Sequence, residues 1–499
     1  MGLKNCLMRL MAREGATPLP TAVLLVLFYL LLLDGMTLTT VFSFLPKLVK
    51  SFGTSEVETG LYAGMIASSI YVGRMIFSLP WGYVADVKGK RSALIVSTTL
   101  LMFSTLVFGF TNSFYWAIIT RFIQGASSAI IVISKSILAD VCDDTNLTLA
   151  MSIAFTSSSI GFIIGPSLAG FLVFPCQQYP DFFQEGSFFE RFGIFLPNLI
   201  LTIGLAISIL LIMVYVPNVS RENNERTLLL KASVHKCQYG SSTKIKDKNL
   251  EKNIVQQINE TEDAKGCLEK LKTFKIVKLL RVKECIQVSL LYGIYSIAAI
   301  GSEELFPLFA STAREYNGMV YSTSKIGLTL LIVAVLILPT QFLFLPKITE
   351  HFGSRKVFIG SNLFSAFLFP WLPVLVGIVS NSTGLWMAVV FILILLRLCL
   401  IGGFIGVNIL LNNTVPSDLL GSANGFAMTL SSFGRCVAPA VLGSLYSWSL
   451  TNIKRVSSST DSIGFPFNQF FTFYVVSVLF ILNSVFASTI SPVLDNRKF

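Results

Sequence analysis

Acid and base side chains set inside long apolar runs are the residues of this chain that could do chemistry. Asp34 lies in the run 20–46, Arg74 in 58–82, and Arg121 and Lys135 in 114–138. Glu304 follows Glu303 in 286–310, Arg397 and Asn408 fall in 384–411, and Arg435 in 420–448. At membrane depth a charged group costs a few kcal/mol by insertion scales, so each must face a partner or a cavity. A carboxylate so placed can take up and release a proton, and protonating Asp34 or Glu304 would neutralise a membrane-embedded charge. For Asp34 a structural pair with Arg74 is the competing reading. Chemistry of other kinds finds little support. No nucleophile with a base, no carboxylate pair and no metal-ligand spacing occurs, and His235 and His351 are the only histidines. An enzyme is therefore not expected, nor a cofactor or a bound metal.

A second polar constellation is Gly82-Tyr-Val-Ala-Asp86-Val-Lys88-Gly89-Lys90-Arg91. It separates two apolar runs and reads as a tight polar turn between two membrane helices, its glycines allowing a sharp bend and close approach. Further on, Asp140, Asp143 and Asp144 crowd the end of the 114–138 run. In the run 147–174, Gly161 and Gly165 share one helix face and allow close backbone contact. Pro166 then removes a hydrogen bond, and Gly170 follows.

The elements that must position these groups are membrane helices. Of the 499 residues 53% are hydrophobic and 13% charged, against roughly 25% charged in soluble domains. Apolar runs near the 20 residues a bilayer requires occur at 20–46, 58–82, 92–111, 114–138, 147–174 and 194–216. A polar stretch intervenes, and six more follow at 286–310, 324–346, 357–379, 384–411, 420–448 and 467–490. The expectation is an all-α polytopic membrane protein with twelve transmembrane helices in two six-helix bundles, 20–216 and 286–490. Lys and Arg gather in segment 1–19, the 83–91 loop, the central loop 217–285, Lys347–Lys356 and the tail 491–499. The positive-inside rule places all of these in the cytoplasm. Lys47, Lys50, Lys454 and Arg455 run against the bias. The net charge of +11 lacks an aromatic-interleaved basic face, so no nucleic-acid partner is expected. The eight cysteines show no framework spacing and read as small buried hydrophobes. Within the central loop, 268–284 reads as an amphipathic helix on the inner leaflet, and Glu225 to Leu230 fits an acidic dileucine address.

The six–linker–six layout and the Gly82–Arg91 stretch resemble the major facilitator superfamily. There the Gly-x-x-x-Asp-x-x-Gly-basic-basic loop acts as a latch between the halves of an alternating-access carrier. Arg121-Phe-Ile-Gln124-Gly125 is similar to a second signature, whose arginine is implicated in proton coupling. Gly161 to Gly170 is similar to the signature associated with antiporters. In family terms the latch comprises Gly82, Asp86, Gly89, Lys90 and Arg91, with Asp140 placed to take the cations. Phe352-Gly353-Ser-Arg355-Lys356 resembles a decayed copy, with Thr349 or Glu350 at the acidic position. Asp86 is also placed to cap the helix that begins after Pro416-Ser417-Asp418. Tyr179-Pro180, Phe195-Leu-Pro197, Tyr321 to Gly327, Leu410 to Pro416 and Gly421 to Gly425 look like the zinc-induced-facilitator-like branch, as does Glu304.

That resemblance implies a proton-coupled carrier, an antiporter by its fifth helix, monomeric, in a vacuolar, lysosomal or plasma membrane. Its solutes include small organic chelators and organic anions. The Cys-x-x-Cys and loop histidines of plant members are absent, which argues against direct zinc binding. Arg74, Lys135, Arg397 and Arg435, with Asn408, would make the cavity electropositive and suit an anionic or zwitterionic solute over a cation. Two alternatives stand beside this reading: a proton-independent facilitator, and a non-transporting membrane sensor that keeps the fold.

Overall fold

In a bilayer every backbone polar group must be satisfied within the chain, which favours long helices. The computed structural model describes residues 17–143, 146–217, 282–343, 345–379, 381–416, 419–453 and 464–495, and among these it is helical with no strand. The first half comprises α1 (Thr21–Thr39, continued by a 3-10 turn Thr40–Ser43), α2 (Thr59–Lys88) and α3 (Lys90–Phe108). It is completed by α4 in two pieces (Phe114–Ser127 and Ile130–Val141), α5 (Leu147–Leu172) and α6 (Phe195–Tyr215). The second half comprises α7 (Lys283–Ser311), α8 (Thr323–Leu343) and α9 in two pieces (Ser354–Leu368 and Trp371–Ile378). It is completed by α10 (Ser382–Asn412), α11 (Leu420–Thr451) and α12 (Phe471–Ser488). Eleven of these segments are long and apolar enough to cross a membrane, and α5 adds the shorter apolar stretch Thr156–Leu172. The central-loop expectations, His235 and the dileucine among them, lie outside the described residues. So does the proposed amphipathic segment up to residue 281.

The ten-residue turn expected at 82–91 is mostly helix. Residues 82–88 are the last turns of α2, and Gly89 alone breaks the chain before α3. Gly89 has φ 92° and ψ 138°, a conformation open to glycine and strained for residues with a Cβ. The break in α4 is repaired from outside. Ser97 of α3 donates to the Ser127 carbonyl at 2.8 Å and accepts from the Ala129 amide at 3.2 Å. The Ala129 amide also donates to the Ser127 carbonyl at 3.1 Å, so both groups at the break are bonded in the interior, and Ser128 is left turned toward α1.

Within the first half α1 packs on α5, α2 on α4 and α3 on α6; within the second, α7 packs on α11 and α9 on α10 and α12. The halves meet along α2–α11 and α5–α8. Those crossings rely on small residues, because backbones there nearly touch. A Cβ at Gly64 would lie 2.2 Å from the Pro439 carbonyl oxygen, and one at Gly443 would lie 2.3 Å from that of Gly60. A Cβ at Gly170 would stand 2.5 Å from the Gly327 Cα.

Hydrogen bonds reinforce this seam at the face opposite Gly89. The Leu61 amide, in the first turn of α2 where no helical acceptor exists, donates to Ser447 Oγ at 2.7 Å. The Ala440 amide, beside the proline that interrupts α11, donates to Ser68 Oγ at 3.0 Å. Lys50 reaches the Ser311 carbonyl at 3.2 Å and pairs with Glu56 at 2.8 Å, while the Ala313 amide donates to Glu56 at 2.7 Å. Gln178, after α5, donates to Thr323 at 3.2 Å and accepts from Ser324 at 2.7 Å. Lys47 lies over the Phe174 ring at 4.4 Å, and burial lowers its ammonium below the usual lysine range.

Candidate functional site

A polar centre lies at mid-depth between the halves. Asp34, halfway along the membrane run of α1, is 1% exposed. Arg74 Nη2 reaches its two carboxylate oxygens at 2.8 and 3.0 Å, and Ser128 Oγ donates to Oδ1 at 2.5 Å. Arg74 also donates to Ser128. Three helices thus converge on one carboxylate, and the break in α4 is what brings Ser128 there. The second half has a counterpart, in which Arg397 of α10 is paired with Glu303 of α7. Arg397 also borders a pocket shared with Phe162 and Pro166 of α5, so this pair faces the first half.

Glu304 is a different case. It is 6% exposed and neither carboxylate oxygen has a hydrogen-bond partner. Gly301 of α7 faces Leu442, and Leu308 reaches the Gly60 position. Glu304 lies one turn from each on the same helix face, so it sits beneath the α2–α11 crossing rather than beside Asp34.

Arg121, 1% exposed, spends its donors on helix ends. It bonds the Thr37 and Leu38 carbonyls at 3.2 and 3.1 Å, where α1 gives way to its 3-10 turn, and Gln124 Oε1 at 3.1 Å. These are carbonyls that a helix terminus leaves unbonded, so Arg121 ties α4 to α1 and no carboxylate joins it. Asn408 is half-buried and donates to the Phe404 carbonyl on its own helix at 2.7 Å. Lys135 is half-buried on the second piece of α4.

Taken with the helix order, these groups can be set against known proteins. The profile of the Major Facilitator Superfamily matches residues 27–439. The chain belongs to that superfamily. It is a multi-pass integral membrane transporter and not an enzyme. An Arabidopsis thaliana protein named probable peptide/nitrate transporter is 28% identical over 422 residues, covering 84% of this chain and 81% of the relative. Protein Zinc Induced Facilitator 1 of the same plant is 27% identical over 432 residues, covering 84% and 83%. These relatives support the zinc-induced-facilitator-like branch. The solved structure of a D-xylose–proton symporter shares the fold at a TM-score of 0.67 and 17% identity, covering 96% of this chain and 99% of that one.

The superfamily latch and the antiporter-type motif can now be placed. Lys90 Nζ meets Asp140 Oδ2 at 2.6 Å and the Ser136 carbonyl at 3.0 Å, whereas Arg91 donates to the Met213 carbonyl of α6. These contacts stay within the first half. The Asp86 side chain and residues 417–418 lie outside the described set, and the suggested cap of α11 with them. Gly82 has open space where a Cβ would stand, as does Gly425 near the start of α11. The helix 5 motif divides its work. Gly161 and Gly165 press against Leu32 and Met36 of α1, and Gly170 presses against α8 of the other half.

Sequence reasoning missed the acid that serves the second-half copy of the latch. Asp495, in the tail, accepts from Ser354 Oγ at 2.9 Å and the Arg355 amide at 2.7 Å, capping the start of α9. Gly353 has φ 83°, and a Cβ there would lie 3.1 Å from this carboxylate. The residues expected in that role, Thr349 and Glu350, are not the ones that fill it; Thr349 instead donates back to Leu345 at 2.8 Å. Asp495 stands 140 residues from the motif, so no local pattern could have found it. Asp495→Ala should remove a helix cap worth about 1 kcal/mol and free the tail. Thermal unfolding and proteolysis of the C-terminus in detergent would show this, and unchanged behaviour in both would refute the cap.

Proposed function

We infer that this chain is a proton-coupled carrier that moves a small organic anion or zwitterion by alternating access. The observation that carries the reading is Glu304, a buried carboxyl with no partner on the helix that lies against the α2–α11 crossing. An unpaired charge there costs a few kcal/mol, so the sealed state and the open state differ in how well they tolerate it. A difference of that size between two states is what a coupling ion needs in order to shift their balance. Asp34 is the second coupling candidate, held with its counter-charge Arg74. Arg121 is better suited to keeping α1 and α4 in register while that centre changes.

With the cation-rich loops inside, as the charge bias suggests, the hydrogen-bonded seam is the outer gate. The helix 5 motif supports exchange of solute against protons, because its Gly170 is part of that gate. The relative named for peptides and nitrate supports an anionic or zwitterionic cargo, as does the arginine content of the centre. Purified protein in liposomes, given a panel of organic anions, zwitterions and lipophilic cations across an imposed pH gradient, tests the reading. Gradient-driven movement of an anion or zwitterion is expected, and Asp34→Asn should reduce its dependence on the gradient. Movement of lipophilic cations alone would overturn the cargo class, and indifference to the gradient would overturn the coupling.

A further inference from the structure

Arg435 differs from the other arginines at membrane depth in where its donors go. Arg74 is committed to Asp34 and Ser128, Arg397 to Glu303, and Arg121 to the end of α1. The Nε of Arg74, Arg121 and Arg435 alike is buried without a hydrogen-bond partner, but Arg435 alone of the four makes no ion pair or hydrogen bond among the described residues. It stands midway along α11, Leu420–Thr451. Its neighbour Cys436 packs with Leu38, Ile70 and Tyr71 of the first half, and Ile300 of the second joins the same cluster. Tyr71 and Tyr295, one from each half, both lie within electrostatic reach of the Arg435 guanidinium and of Glu303.

The chemistry of that position is specific. A guanidinium offers five N–H donors in a rigid fork and no acceptor, and it matches a carboxylate with two parallel bonds. Arg435 is half-buried, with its Nε–H shut away from water, where an unmet donor is costly. Around it, the Asp34–Arg74 and Glu303–Arg397 pairs are each neutral overall, so Arg435 supplies a net positive charge that a solute could neutralise. We propose that Arg435 binds the carboxylate of the transported solute and selects organic carboxylates over their amides and over cations. This rests on the anionic-solute reading above and names the residue that reads the charge. Cys436, next to Arg435 on α11, packs against Leu38, Ile70 and Tyr71 of the first half, so a solute held at Arg435 lies close to both bundles.

The test compares wild type, Arg435→Gln and Arg435→Lys as full-length protein in liposomes. The probes are glutamate and glutamine, succinate and succinamide, nicotinate and nicotinamide, and tetraphenylphosphonium as a lipophilic cation. Wild type should move at least one carboxylate at least tenfold faster than its amide. Arg435→Gln should raise KM for that carboxylate at least tenfold and level the preference. Arg435→Lys should fall between them, because charge is kept and the fork is lost. A folded Arg435→Gln protein with unchanged KM and preference overturns the role of Arg435 while leaving the anionic reading intact. If that variant does not fold, Arg435→Lys equal to wild type overturns it. Wild-type transport of tetraphenylphosphonium and of no carboxylate overturns the anionic reading as well, and movement of no probe at all counts against both.

Discussion

Glu304→Gln should yield a carrier that still exchanges solute downhill but no longer concentrates it in response to a pH gradient. Glutamine keeps the shape and volume of the protonated acid and removes the ionisable group. The expectation is large because nothing in the described structure compensates a charge at this position: both oxygens lack a partner in a residue that is 6% exposed. Asp34 has Arg74 and Ser128, and Glu303 has Arg397. An uncompensated charge costing about 2.5–3.5 kcal/mol at membrane depth corresponds to a shift of about seventyfold or more between two states. Gradient-driven accumulation should therefore fall at least tenfold, with counterflow retained. Accumulation at the wild-type level in Glu304→Gln vesicles would remove this residue from coupling and leave Asp34 as the remaining carboxylate.

Gly64→Leu should leave a protein that inserts and folds but cannot close its far face. The added side chain must displace the Pro439 carbonyl, which a Cβ alone would approach to 2.2 Å. A backbone carbonyl inside a helix cannot step aside as a side-chain tip can, so α2 and α11 must separate. Overpacking of ordinary cores costs about 1–3 kcal/mol, and this backbone clash belongs at or above the upper end. The sealed state should be depleted about a hundredfold and uptake should drop in proportion. A cysteine placed at Leu308, which packs against the same crossing, reports on the gate. It should be protected from a membrane-impermeant maleimide in the otherwise unchanged protein and labelled in Gly64→Leu. Wild-type uptake with full protection would show that the crossing is not the gate.

Both expectations depend on partners that linear spacing does not reveal. The motif Gly161 to Gly170 is legible as a close-packing face, yet the sequence does not say that Gly170 belongs to a different contact from Gly161 and Gly165. Gly170 lies about 180° around the helix from Gly161, and what spacing cannot say is that α8 of the other half meets that opposite face. Arg121 and Arg435 look alike as lone arginines in apolar runs. One proves to cap the end of α1, and the other has no acceptor among the described residues. Ser128 carried no signal at all, because its role comes from a break in α4 that Ser97 of a neighbouring helix makes tolerable.

The sequence by itself determined the membrane class, the helix order, the superfamily and the set of charges the bilayer must accommodate. Hydropathy, loop cations and short motifs are local properties, so they survive in one dimension. The tertiary structure decided which acid meets which base, where hydrogen bonds join the halves, and that the second-half latch takes its carboxylate from Asp495. Those outcomes depend on the rotation and tilt of one helix against another, which packing sets and an apolar run does not encode.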